Sequence, residues 1–169
     1  MIVVLMGVSG SGKTTIGELL AQRTGATFAD ADDYHPAANK EKMAAGHALD
    51  DQDRQPWLET LNRLMLGWYD DKKSGILACS ALKQKYRDTL ARGLPEGALT
   101  FVWLDGSAEL IGKRLTARHH EFMNPRLLES QLNTLEPPSD AVRVVNDQTP
   151  EEVVDKILQK LPTATKANQ

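Results

Sequence analysis

The chain has a single cysteine, Cys79, among 169 residues, so no disulfide forms within it, which suits a reducing compartment. Cys79 follows the apolar run Ile76-Leu77-Ala78 and reads as a buried thiol rather than a nucleophile. Neither sign of charge is in large excess. Twenty Lys and Arg stand against 23 Asp and Glu, a net charge of −3, which removes the general electrostatic argument for a nucleic-acid or membrane-surface partner. No apolar run approaches membrane-spanning length. The N-terminal one is too short for a signal peptide and runs straight into a glycine-rich loop. There is no internal repeat and no linker. The expectation is one cytoplasmic domain over residues 1–161, followed by a disordered polar tail at 162–169.

What the chain does have is concentrated near its start. Residues 7–14 read Gly-Val-Ser-Gly-Ser-Gly-Lys-Thr, a full match to the phosphate-binding loop G-x-x-x-x-G-K-[ST]. The apolar run Ile2-Val3-Val4-Leu5-Met6 precedes it, and helical apolar spacing from Thr15 to Arg23 follows. A strand delivers such a loop, its glycines turn backbone N–H groups inward, and the helix N-terminus adds its dipole. Gly7, Ser9, Gly10, Ser11, Gly12, Lys13, Thr14 and Thr15 are therefore candidates for nucleotide binding. Lys13 is placed to reach the β- and γ-phosphates of ATP, and the Thr14 hydroxyl to ligate Mg²⁺.

Further strands are expected near residues 26–29, 75–80, 99–105 and 141–145. Helices are expected at 13–24, 36–45, after the segment Asp53-Arg54-Gln55-Pro56, at 82–92, from Ser107 to Arg118, from Pro125, and after a capping box at Thr149-Pro150-Glu151-Glu152. Trp57, Leu61, Leu64 and Trp68 fall on one helical face and read as core. The last helix is expected to bury Val153, Val154, Ile157, Leu158 and Leu161. Alternating strands and helices predict an α/β fold, a parallel sheet with helices on both faces. Ligands in such folds sit at the carboxyl ends of the strands.

Asp30 and Asp32 stand at one such end. In extended chain both carboxylates point the same way, and one of them can accept or orient the proton of an acceptor hydroxyl. Asp32 is favoured, Asp30 reads equally well as a cap, and Asp33 is out of phase and solvated. Val102-Trp103-Leu104-Asp105 imitates a Walker B strand and is taken as a decoy. Asn39 and Lys42 share a helical face and suit a small polyhydroxy anion. Basic residues gather past the strand ends: Arg54, then Lys83 and Arg87 at i and i+4 with Tyr86 beside them, then Arg114 and Arg118, also at i and i+4, and Arg126. A phosphate-closing lid over about 114–126 is expected from the last group.

These blocks resemble the gluconate kinases. The likeness rests on the phosphate loop, Asp30-x-Asp32-x-x-His35-Pro36-x-x-Asn39, Glu41-Lys42-Met43-x-x-Gly46, and Asp51-x-Asp53-Arg54-x-Pro56-Trp57-Leu58. It continues through Cys79-Ser80-Ala81-Leu82-Lys83-x-x-Tyr86-Arg87 and Ser130-Gln131-x-x-Thr134-Leu135-Glu136. The resemblance implies a fold of the P-loop NTPase type, similar to shikimate and nucleoside-monophosphate kinases. It implies transfer of the γ-phosphoryl group of ATP to the 6-hydroxyl of D-gluconate, with Mg²⁺, by a cytosolic homodimer. By the same resemblance Lys13, Asp32 and Arg118 are catalytic, and Arg114 and Arg118 lie on the lid and nucleotide side. Asp32, His35, Asn39, Lys42, Arg54, Lys83 and Arg87 would contact the acceptor or its phosphate, and 146–150 would lie near adenine. Some relatives carry Gly-His-Phe in the lid where this chain has His120-Glu121-Phe122, so no role is assigned to a lid histidine. The rival readings are a kinase of the same fold acting on shikimate or another small polar acceptor, and a nucleotide switch. The nearest string to a switch's base-reading motif, Asn39-Lys40-Glu41-Lys42, fails at its last position.

Overall fold

A computed structural model describes residues 1–106 and 125–162. The expected helix from Ser107 to Arg118, most of the expected lid with Arg114, Arg118 and the lid histidines, and nearly all of the expected tail lie outside the described residues.

Strand β1 (Ile2–Met6) is buried along its whole length. Its alternation divides the core in two. Ile2, Val4 and Met6 face one helical layer, and Val3 and Leu5 the other. A strand covered on both faces needs this continuous apolar run. The remaining strands are β2 (Thr27–Asp30), β3 (Gly75–Ala78), β4 (Leu99–Asp105) and β5 (Val142–Val145). They form a five-stranded sheet in the order β2-β3-β1-β4-β5, and every pairing is parallel. The α/β expectation holds, and β1 sits at the centre with the phosphate loop at its carboxyl end.

Helix α1 (Lys13–Thr24) ends at Gly25, whose φ of 75° suits a left-handed cap. A 3-10 turn (Ala31–Tyr34) and α2 (Ala37–Ala44) follow β2. Helix α3 (Asp51–Asp70) starts earlier than expected, ahead of the Asp53-to-Pro56 segment. A reciprocal cap accounts for the early start. The Asp53 N–H donates to Asp50 Oδ1 at 2.7 Å, and the Asp50 N–H donates to Asp53 Oδ2 at 2.9 Å. Pro56 lies inside the helix, at the expense of the one intrahelical bond its missing N–H would make. Trp57, Leu58, Leu61, Met65 and Trp68 line the buried face of α3, with Leu64 packed against the same cluster.

Helices α4 (Gln84–Ala91), α5 (Pro125–Thr134) and α6 (Pro150–Lys160) complete the described chain. Thr149 caps α6 by accepting the Glu152 N–H at 3.2 Å. Its hydroxyl in turn donates to the Glu152 carboxylate at 3.0 Å, so the expected reciprocal bond closes between side chains. Val153, Val154 and Ile157 are buried. Leu158, expected in the core, is 38% exposed, because one residue beyond Ile157 turns about 100° away from the buried stripe.

Candidate active site

The phosphate loop joins β1 to α1. Gly12 adopts a φ of 94°, and a Cβ there would lie 2.5 Å from Asn146 Nδ2, so both conformation and space call for glycine. The Lys13 ammonium folds over the start of the loop and donates to the Gly7 and Val8 carbonyls at 2.9 and 3.1 Å. Burial lowers its pKa, and Cys79, Asp32 and Asp30 oppose that shift. Cys79 itself is buried, and desolvation pushes its thiol up to about 12, which makes it the inert thiol that the sequence predicts.

The two aspartates play different parts. Asp30 ends β2, and Asp32 lies in the 3-10 turn, so the alternation argument does not extend to it. Instead Asp30 Oδ1 accepts the Asp32 N–H at 3.0 Å, while Asp30 Oδ2 accepts the Thr14 hydroxyl at 3.1 Å. Asp30 thus caps the turn and also ties it to the loop. Asp32 is an exposed residue whose carboxyl is partly desolvated by the surrounding site. Its pKa is raised, first by desolvation and then by Asp30, against the pull of Lys13 and His35. A carboxylate with raised basicity beside the loop ammonium is suited to accept a proton. The turn is anchored from below, where Trp57 Nε1–H donates to the Ala31 carbonyl at 2.7 Å. His35 stacks on the same indole, with ring centroids 4.2 Å apart. Burial lowers the His35 pKa, and its Nδ1 lies 3.3 Å from the Asn39 amide nitrogen. As acceptor there, Nδ1 leaves the proton of the neutral ring on Nε2.

The wall opposite the loop is a charged lattice. Asn39 is buried and donates to the Asp53 carbonyl at 2.8 Å. Lys42 reaches Asp53 Oδ2 at 2.5 Å. The two do share a face, as expected, and that face clamps α2 to the cap of α3. Arg54 Nη1 lies 3.3 Å from the Tyr86 hydroxyl, with its guanidinium 5.6 Å from the ring centre. Asp51 gathers Lys85, Tyr86 and Lys83, and their hydrogen bonds hold its carboxyl well below the usual carboxylate range. Lys83 and Arg87 do not share a helical face. Lys83 is the extended N-cap residue of α4, so helical spacing does not apply to it. Arg87 is 3% exposed and donates to the Ala81 and Glu136 carbonyls at 2.7 and 2.8 Å. Ala81 has a φ of 46°, a left-handed conformation that such a strap sustains.

Residues far along the chain hold the loop in place. The Asn146 amide donates to the Ser11 carbonyl at 2.6 Å. Gln131 Oε1 accepts the Ser9 N–H at 2.7 Å, and the Ser80 carbonyl accepts the Gly7 N–H at 3.3 Å. Asp105 is bound by Arg143, with Nε at 2.7 Å and Nη2 at 2.6 Å.

The family model for shikimate kinase matches residues 9–162. A probable gluconokinase from Xenopus tropicalis is 48% identical over 158 residues, covering 86% of this chain and 83% of the relative. The thermosensitive gluconokinase of Escherichia coli K12 is 47% identical over 145 residues, covering 83% and 76%. The crystal structure of a gluconokinase from Sinorhizobium meliloti superposes with a TM-score of 0.85 at 39% identity, covering 98% of this chain and 93% of that one. This chain belongs to the gluconokinase branch of the shikimate kinase family.

As a gluconokinase-family site, the arrangement brings Lys13, Thr14, Asp30 and Asp32 together at the strand ends, with His35 close by. Arg54 and Lys83 meet around Tyr86 and Asp51 on the neighbouring wall. Arg87 lies beneath that wall among backbone carbonyls. Gln131 and Asn146 stood in segments that the sequence singled out, but nothing local to either revealed its bond to the loop.

Proposed function

We propose that this gluconokinase-family chain transfers the γ-phosphoryl group of ATP to the 6-hydroxyl of D-gluconate, giving 6-phospho-D-gluconate and ADP. The observation that carries the reading is the pairing of the Asp30–Asp32 turn with the phosphate loop through Thr14. It brings the Asp32 carboxylate within electrostatic reach of the ammonium that serves the phosphates. The loop amides and Lys13 hold the triphosphate, and Asp32 orients the acceptor hydroxyl and takes its proton. As the bond from the acceptor oxygen to the γ-phosphorus forms, the bond to the bridging oxygen breaks and ADP leaves with that electron pair. Mg²⁺ fits the hard oxygen donors at Thr14 and Asp30 and, when bound, would offset charge on the β- and γ-phosphates. His35, Arg54 and Lys83 are the acceptor-side contacts in this reading. Asn39, Lys42 and Arg87 support that wall through Asp53, Ala81 and Glu136. Arg114 and Arg118 would neutralise charge from the lid.

A cytoplasmic homodimer belongs to the same proposal. The buried thiol supports the compartment, and sedimentation equilibrium tests the dimer. The deciding experiment supplies Mg·ATP with a panel of acceptors and follows ADP release. Gluconate-dependent turnover is expected, and turnover confined to shikimate or to a nucleoside monophosphate would overturn the assignment.

A further inference from the structure

A phosphate loop works by aiming backbone N–H groups at phosphate oxygens. Here the Ser9 N–H is committed instead to a side chain 122 positions away, Gln131, at 2.7 Å, so that bond fixes the course of the loop backbone beside the amides left for phosphate. Ser9 directly follows Gly7 and Val8, whose carbonyls carry the Lys13 ammonium. That lysine serves the β- and γ-phosphates, so the Ser9 amide stands at the γ end of the loop.

The helix that carries Gln131 is fixed at its other end to the acceptor wall. The Glu136 N–H donates to the Leu82 carbonyl at 2.8 Å. Glu136 Oε1 accepts the Gln84 N–H at 2.8 Å, and Arg87 reaches the Glu136 carbonyl at 2.8 Å. Leu132 and Leu135 pack against Val8 of the loop and Leu82 of the wall. The last turn of α5 and the two residues after it therefore touch both halves of the site.

We propose that Gln131 is a positioning residue for phosphoryl transfer, fixing the loop backbone at Ser9 near its γ-phosphate end and tying it through residues 132–136 to Leu82, Gln84 and Arg87 on the acceptor side. The inference rests on reading residues 7–14 as the ATP site. Its signature is selective: a nucleotide with a γ-phosphate feels Gln131, and ADP does not. A merely structural glutamine would affect both alike.

The test uses the full chain with Gln131→Met and Gln131→Glu. Methionine keeps the length and helix propensity and removes the acceptor. Glutamate keeps an acceptor and brings a negative charge toward the γ position. Calorimetric titration with Mg²⁺ and either β,γ-imido-ATP or ADP reads the ratio of the two affinities. Gln131→Met is expected to weaken the ATP analogue about five- to tenfold, with ADP held within about twofold. Gln131→Glu is expected to weaken the analogue about tenfold or more, again sparing ADP. If the methionine variant does not fold, the glutamate variant decides by the same ratio. Equal weakening of both nucleotides, or no change in either, overturns the proposal while wild-type binding leaves the ATP-site reading intact. A wild-type chain that binds neither nucleotide overturns that reading, and this inference with it.

Discussion

Trp57 anchors the turn that carries Asp32, and Trp57→Phe measures that anchoring. The change keeps an aromatic ring for His35 to stack on but removes the N–H that donates to the Ala31 carbonyl at 2.7 Å. Trp57 is 5% exposed, so water does not readily replace the lost donor. An orphaned buried carbonyl costs about 1–3 kcal/mol. The smaller ring leaves a void of a few tens of Å³, which adds roughly 1 kcal/mol. The expected loss is about 2–4 kcal/mol, or a fall in Tm of roughly 5–12 °C for a chain of this length. Ala31 shares its turn with Asp32, so kcat should fall about tenfold or more as the hydroxyl loses alignment. KM for ATP should change less, because Trp57 bonds to the turn and not to the phosphate loop. Trp68→Phe is the control. Trp68 lies on the same helix and packs on Gly75, where a Cβ would come within 2.1 Å of its ring, at the opposite end of β3 from the site. It should lose stability without the drop in kcat. Thermal melts by circular dichroism and a coupled ADP-release assay read the two quantities. A Trp57→Phe enzyme that melts lower yet turns over as fast as wild type would refute the positioning argument.

Asp32→Asn should lower kcat by about 10²–10⁴ while leaving ATP binding nearly unchanged, as read by single-turnover kinetics beside nucleotide titration. The folded pKa of Asp32 is raised, so between the unfolded and folded values the folded state holds more protons, and stability falls as pH rises through that window. Asp32→Asn should therefore raise Tm at pH 7, and wild-type activity should fall as pH drops through the raised pKa. Arg87→Met should leave the Ala81 and Glu136 carbonyls without donors and lower stability by about 2–4 kcal/mol in urea melts. KM for gluconate in the folded fraction should change little. A large KM rise at unchanged stability would make Arg87 a substrate contact instead.

Short-range features were the legible ones. The phosphate loop, the apolar β1 and the capped α6 each depend on neighbours a few residues away, which periodicity and motif can read. Expectations failed where an element boundary fell inside the pattern used. The two-residue alternation broke at Asp32 because the strand had ended at Asp30. The i, i+4 rule broke at Lys83 because α4 had not begun. The bonds that shape the loop were the least visible: Asn146 reaches Ser11 across 135 positions and Gln131 reaches Ser9 across 122. A side-chain amide carries no local trace of the backbone atom it will meet once the sheet is assembled. Asp50 and Asp53 stand three residues apart, but their reciprocal capping became clear only with the geometry of α3.

The strand order also sets a schedule for synthesis. β1 leaves the ribosome before either of its partners, since Val4 pairs with Leu77 on one side and Phe101 on the other. Until both arrive, the nascent chain carries an unprotected apolar segment joined to a glycine-rich loop that lacks Gln131 and Asn146. Parallel pairings of this span form slowly and leave the growing chain open to aggregation. Nucleotide cannot act as an early folding template, because its site is finished only after β5 has been made. The apolar β1 therefore stays unpaired on one side until residues as far along as Trp103 have been made.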